Sequence, residues 1–228
     1  TTPADRKKIS PSLSLSYRLL PDDALFFRTM VKSTFRLPTF NDLYYLQIGN
    51  TSLRPENAVE YGAGLTWNSR KIGAVKYVTA TVDAYINNVT DKIVAFPSTY
   101  IWKMVNFGKV KAKGLDLTLG TQIDLSKGFS LTASGAMTLQ EAKDKTENSP
   151  TYNSQLPYTP KVSGSLSAIF YTPWINIGYS STAQGKRYSM AQNTNEYLMK
   201  SYMEHSLSVS RLLHISKSYD LTLQLTVN

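Results

Sequence analysis

Hydrophobic and polar residues alternate along most of the chain. Val78, Ala80, Val82, Ala84 and Ile86 are separated by Thr79, Thr81, Asp83 and Tyr85. Phe129, Leu131, Ala133, Gly135, Met137 and Leu139 interleave with Ser130, Thr132, Ser134, Ala136 and Thr138. The same period runs through 162–170 and 221–227. Successive strand side chains point to opposite faces, so each run has one apolar face and one face rich in Ser and Thr. No segment carries a convincing helical period. The pattern predicts ten strands, at 11–20, 24–36, 57–68, 74–88, 103–123, 128–142, 160–171, 174–185, 202–213 and 219–228. Several exceed the ~5–6 residues of an ordinary strand and satisfy the ~9–11 that cross a bilayer.

One run changes phase. Val110 and Ala112 are followed by Leu115, Leu117 and Leu119, so the apolar positions slip by one at Lys113-Gly114. A slip of one residue moves every later side chain to the other face unless an inserted residue absorbs it. The expectation is a β-bulge at Gly114. On that reading Glu60, Asp83, Lys109, Lys111, Asp116 and Lys161 all fall on the polar side, with Val82, Ala84, Leu117 and Leu166 opposite.

The connections alternate in length. Short ones fall at 21–23, 68–73, 124–127, 172–173 and 214–218, and long ones at 37–56, 89–102, 143–159 and 186–201. Outer-membrane barrels pair tight periplasmic turns with long extracellular loops in this way, whereas a β-sandwich has no reason to. Trp67, Phe129 and Phe170 lie on the apolar phase beside short turns, and Phe35 and Tyr61 on it beside long ones, as two aromatic girdles would. Soluble sheet core is the alternative reading of the same aromatics.

Composition narrows the classes. The absence of cysteine excludes a disulfide scaffold, a thiolate metal site and a cysteine nucleophile. Mean hydropathy is −0.25, and no run approaches the ~18 apolar residues of a membrane helix. The net charge of +9 arises from 25 basic and 16 acidic residues. The basic residues are scattered, which argues against nucleic acid as a partner. The chain opens at Thr1-Thr2-Pro3, and both ends of a ten-strand meander fall on the long-connection side. The expectation is therefore a piece of a larger barrel, since open strand edges are not tolerated in hydrocarbon.

Phe35-Arg36-Leu37-Pro38-Thr39-Phe40-Asn41-Asp42-Leu43-Tyr44-Tyr45, then Gly49-Asn50, then Leu53-Arg54-Pro55-Glu56 resembles a stretch of TonB-dependent outer-membrane receptors. Val59-Glu60-Tyr61-Gly62-Ala63-Gly64-Leu65 and Asn106-Phe107-Gly108-Lys109-Val110-Lys111-Ala112-Lys113-Gly114-Leu115-Asp116 are similar to strands of that family, with Asp116 where glutamate is usual. Vitamin B12 and siderophore receptors, especially of Bacteroides type, look closest. The resemblance implies an all-β, antiparallel transmembrane β-barrel fragment, about ten strands (roughly 12 to 21) of a 22-stranded barrel. It implies that residues 1–228 are part of a single barrel domain lacking the plug and the final strand. It also implies a Gram-negative outer membrane, contact with its lipid, and a TonB complex acting through the plug.

Candidate chemistry is sparse. His205 and His214 lie at opposite ends of one strand, so no catalytic site and no metal site is expected, and no cofactor. Acidic residues near the long connections (Asp42, Glu56, Glu60, Asp91, Glu141, Asp144, Glu147 and Glu196) have no EF-hand spacing and read as solvated loop charge or, alternatively, as calcium ligands. The long connections carry the aromatic residues suited to a large amphipathic ligand. Candidate ligand contacts are Tyr44, Tyr45, Asn50, Arg54, Tyr100 and Trp102, with Tyr152, Tyr158, Arg187 and Tyr188 nearby. Packing within the loops is the competing reading for each. The expected function is receptor-mediated uptake of cobalamin, or else of a ferric siderophore or haem. A ten-stranded outer-membrane protease and a soluble β-sandwich binding module are the alternatives.

Overall fold

The computed structural model describes residues 9–20, 24–69, 71–97, 100–216 and 219–228. Its strands are β1 (Ser12–Arg18), β2 (Leu25–Arg36), β3 (Glu56–Asn68), β4 (Val75–Pro97), β5 (Trp102–Ser126), β6 (Phe129–Asp144), β7 (Val162–Tyr171), β8 (Asn176–Gln184), β9 (Arg187–Tyr188), β10 (Leu198–Met199), β11 (Tyr202–Ser216) and β12 (Tyr219–Val227). Ten of them form one sheet in the order β1-β2-β3-β4-β5-β6-β7-β8-β11-β12, and β9 and β10 make a separate ribbon. Every pairing is antiparallel, so the sheet is a continuous meander with β1 and β12 at its edges.

Register sorts the side chains into two faces. Tyr17, Phe27, Leu65, Val82, Leu117, Met137, Gly164, Ala183 and Met203 form one row across the sheet. The adjacent row on the other face runs through Arg28, Gly64, Asp83, Asp116, Thr138 and Ser163. Val82, Ala84, Leu117 and Leu166 therefore share the apolar face, with Asp83, Asp116 and Ser165 opposite.

On the polar face Arg28 grips Asp83 through two hydrogen bonds of 2.9 and 3.1 Å. They pass over Gly64, where an added Cβ would collide with the Asp83 carboxylate. Thr138 donates to Asp116 at 2.7 Å. Among the described residues nothing covers the apolar face: Leu119 is 54% exposed and Leu166 49%. At its short-connection end Phe129 packs on Phe170 and Trp174, with ring centroids 6.1 and 5.9 Å apart.

No bulge occurs at Gly114. The β4–β5 register runs unbroken from Tyr77↔Gln122 to Thr90↔Lys109, and the β5–β6 register from Val110↔Asp144 to Asp124↔Ser130. The backbone stays regular and the apolar pattern itself changes face. Below the row Ile86–Lys113–Glu141 the outer positions are Leu115, Leu117, Leu119 and Leu139, and above it they are Lys111, Lys109 and Lys143. The opposite face switches in the reverse sense, from Asp116 and Thr138 to Ala112, Val110, Val89 and Ala142. Lys109 and Lys111 thus stand on the side opposite to the one expected. Gly114 serves a different purpose: Tyr85 lies across it, and a Cβ would meet that ring's hydroxyl at 2.5 Å.

Two further expectations change. Most of 89–102 is strand, because β4 and β5 continue past the inversion to total lengths of 23 and 25 residues, more than twice the ~9–11 residues a crossing needs. A five-residue helix, α1 (Phe40–Tyr44), occupies the 37–55 connection. It is too short to show a period, but a capping box starts it. Thr39 Oγ1 accepts from the Asp42 N–H at 3.2 Å, and Asp42 accepts from the Thr39 N–H at 2.8 Å.

Candidate ligand-binding face at the long-connection end

The buried apolar side chains among the described residues gather above the inversion. Val89, Val110, Ala142 and Leu156 form a cluster, with Ala58, Phe107 and Ala112 packed against it. Leu156 comes from the 145–161 connection, whose backbone follows the free edge of β6. Asp144 N–H donates to the Ser154 carbonyl, Asn153 N–H to the Asp144 carbonyl and Leu156 N–H to the Ala142 carbonyl. An otherwise unpaired strand edge is thereby satisfied.

Asp144 organises that connection. It is 1% exposed and accepts from the Thr146 N–H, Ser149 Oγ and Thr151 Oγ1, each at 2.8 Å. Burial pushes its carboxyl up, but these hydrogen bonds outweigh it and leave the group below the ordinary aspartate value. Asp144 is a buried tie, contrary to its reading as solvated loop charge. Gln155 and Asn193 extend the tie into the 185–201 connection. The Gln155 N–H donates to Asn193 Oδ1 at 2.6 Å, and Asn193 Nδ2 donates back to the Gln155 carbonyl at 3.0 Å. The sequence contains the Asp, Ser and Thr residues of this loop, but nothing in its spacing singles out the contact with Asn193.

The 37–55 connection is fastened to the extension of β5. Met104 N–H donates to the Ile48 carbonyl at 2.8 Å, and Asn50 Nδ2 donates to the Met104 carbonyl at 3.0 Å. Arg54 N–H donates to Asn106 Oδ1 at 2.7 Å, while Arg54 Nε donates to Asp91 at 2.9 Å. Gly49 sits so close to α1 that a Cβ would lie 2.6 Å from the Tyr45 nitrogen. Arg36 bridges Asp42 at 2.9 Å and Glu56 at 3.5 Å.

The six candidate contacts therefore divide. Asn50 and Arg54 are occupied as posts that hold the connection to β4 and β5. Tyr44 and Tyr45 are 57% and 59% exposed, with the Tyr44 ring tilted against Phe40 at a centroid distance of 5.0 Å. Tyr100 is 94% exposed at the tip of the β4–β5 hairpin. Trp102 packs on Tyr158 at 5.6 Å, joining that hairpin to the 145–161 connection. Tyr152 is exposed beneath the Lys145 ammonium, and Arg187 lies over the Tyr202 ring at 5.1 Å. The arrangement offers aromatic surface on a tied scaffold.

His205 shares the apolar face with Leu207 and Val209, and its Nδ1 lies 2.8 Å from the Tyr179 hydroxyl. The His214 side chain lies outside the described residues. Among the described residues no three His, Asp or Glu side chains are grouped to hold a metal.

Comparison with known proteins now adds to the geometry. A family model described as TonB dependent receptor-like, beta-barrel matches residues 1–228. The vitamin B12 transporter BtuB of Vibrio vulnificus is 27% identical over 106 residues, which is 46% of this chain and 16% of that protein. The ferric citrate transporter FecA superposes with a TM-score of 0.67 at 16% identity, over 95% of this chain and 32% of FecA. The ferric enterobactin receptor PfeA of Pseudomonas aeruginosa gives 0.66 at 18%, over 95% and 34%. The copper transporter OprC gives 0.66 at 14%, over 94% and 32%. The chain thus spans about a third of the solved receptors' length, and it folds as a segment of their barrel rather than as a sandwich. It belongs to the family of TonB-dependent receptor β-barrels.

Proposed function

We propose that the receptor containing this barrel segment imports a large, scarce, metal-containing nutrient across the Gram-negative outer membrane. Cobalamin is the first choice and a ferric siderophore or haem the second. The carrying observation is the inversion of polarity on β4, β5 and β6. An apolar band bounded by one charged row is what a lipid-spanning wall requires, and the extension beyond it raises the aromatic residues clear of the membrane. The preference for a corrinoid rests on the stretch similar to the B12 transporter.

Import of such a ligand is uphill, and the receptor would draw energy from a TonB complex acting through a plug. In this reading Tyr44, Tyr45, Tyr100 and Trp102 offer stacking surface, while Asn50 and Arg54 keep it in place. The test is binding of cyanocobalamin, ferric enterobactin and haemin to the full-length receptor in detergent, followed by uptake into cells with and without TonB. Saturable cyanocobalamin binding with TonB-dependent uptake is the expected result. Binding of only one of the other two ligands would move the assignment to that ligand, and binding of none would overturn it.

A further inference from the structure

The lysines just above the inversion lie on the same side of the sheet as the apolar band. Lys113 follows Leu115 by one outward position, and Lys111 and Lys143 face each other in the next row. A cleft of about 190 Å³ is lined by Lys111, Lys113, Glu141, Lys143, Lys145 and Asn153. Glu141 is the one acid among them. It pairs with Lys113 and Lys143, each at 3.2 Å. Lys145 donates to Asn153 at 2.7 Å. The Lys111 ammonium has no ion-pair partner among the described residues. Four lysines against one glutamate leave a surplus of positive charge in the cleft.

From this cleft we infer a docking site for the phosphorylated headgroup of a membrane lipid in the leaflet at the long-connection end. The inference rests on the outer-membrane reading above. Position selects the occupant. Two residues of strand rise only ~7 Å, so the Lys113 row stands within the ~5–8 Å headgroup layer that borders the hydrocarbon. Lys111 and Lys143 stand one row higher, and their flexible stems let the ammonium groups reach back to the same level. A phosphate there meets several cations without leaving the lipid. Acyl chains of the same lipid find apolar surface directly below. Met137, four residues down β6 from Glu141, borders an open groove of about 700 Å³ that also takes in Gly164, Leu166, Ala183 and Met203. A soluble anion would gain the charge but leave this groove unused.

The test uses the full-length receptor extracted in mild detergent, with lipid A as probe and native mass spectrometry as readout. Wild type is expected to retain phosphorylated lipid A and to release the dephosphorylated form. The combined variant Lys111→Gln/Lys113→Gln/Lys143→Gln should weaken retention about a hundredfold, at roughly fivefold per lysine. Lys111→Gln alone breaks no ion pair, so it should fold normally and still cost about fivefold. Glu141→Gln removes the competing carboxylate and should leave retention equal or stronger. Equal retention by Lys111→Gln and wild type would overturn the site. Inorganic phosphate displacing lipid A at equal concentration would overturn it too, as a soluble-anion site. Heat-modifiable gel mobility and membrane fractionation separate the two readings. A receptor absent from the outer membrane refutes the proposed function, whereas a correctly assembled receptor that ignores the phosphate refutes only the docking site.

Discussion

The lower and upper parts of β4, β5 and β6 use one backbone in two opposite ways. Below the row Ile86–Lys113–Glu141, leucines point outward and Asp83, Asp116 and Thr138 point inward. Above it, lysines point outward and Val89, Val110 and Ala142 point inward against Leu156. The hydrogen-bond ladder does not register the change. In the proposed membrane setting, what changes is the solvent. Lipid would cover the apolar side of the band, so the sheet would need no protein layer there. Beyond the band water would return, and there the strands behave as an ordinary sheet that buries its apolar side under a connection. The difference teaches that the inversion of polarity is written in side chains alone, and that it falls at the same height on three neighbouring strands.

The strongest way to break this comparison is to put a charge on the lower outer face. Leu117→Arg is expected to destabilise the assembled barrel by ~2–4 kcal/mol, because the guanidinium would sit in the apolar band. Urea titration of the full-length receptor in bilayers measures it. No loss relative to wild type would mean that lipid does not cover this face.

Asp144 gives the next largest effect, in the upper part. Asp144→Ala removes the acceptor of three hydrogen bonds inside the loop and should cost ~2–3 kcal/mol, with protease cutting first within 145–160. The pH dependence has a definite sign. Its folded pKa is depressed, so its stabilisation is fully present above the ordinary aspartate value of 3.8 and is lost as pH falls below that through the folded pKa. Limited proteolysis across pH 5 to pH 2 should show the connection loosening at the acid end. A connection that stays protected in Asp144→Ala would show that the ladder along β6 holds it without the carboxylate.

Period two revealed the strands and the two faces because each is a local property of the chain. The phase slip at Lys113-Gly114 was equally visible, but two physical causes produce the same string: an inserted residue or a change of solvent. Only the pairing of Lys113 with both Ile86 and Glu141 decides between them. The β4 and β5 extensions were unreadable for the same reason. Asn88, Thr90 and Lys92 look like loop residues when strands are sought by an apolar outer face. At the candidate site, residue type pointed to Arg54 and Asn50 as free contacts. Their partners Asp91, Asn106 and Met104 lie 37 to 54 residues away, a separation no local pattern spans. The helix α1 was not legible in the sequence, because its five residues are too few for a period to show; its capping box at Thr39 and Asp42 emerges only from the backbone geometry.

Tyr44 and Tyr45 sharpen the contrast between posts and exposed surface within the upper part. Replacing both with alanine should weaken ligand binding by ~1–3 kcal/mol while assembly stays normal, since both rings are more than half exposed. Arg54→Ala should instead loosen the 37–55 connection, and affinity should fall only as that connection becomes mobile. Calorimetry with cyanocobalamin, the first-choice ligand, paired with hydrogen exchange of 37–55, separates the two. An unchanged affinity in the double tyrosine variant would remove α1 from the contact surface.

The smallest effect is expected at the boundary row itself. Lys113 makes a partly exposed ion pair with Glu141 at 3.2 Å, and Glu141 keeps Lys143 at the same distance when Lys113 is removed. Lys113→Gln should therefore change barrel stability in detergent by no more than ~1 kcal/mol, the usual worth of an exposed pair. The same change on the other side of the row is not small. Leu115 is one outward position lower, and Leu115→Lys places the same ammonium at the edge of the apolar band, where depth begins to carry a cost. Comparing Lys113→Gln with Leu115→Lys in bilayers and in water-rich detergent locates the boundary to one pair of residues. If the two positions respond alike in both media, the inversion does not mark the membrane edge, and the lysines are simply the hydrated side of a sheet.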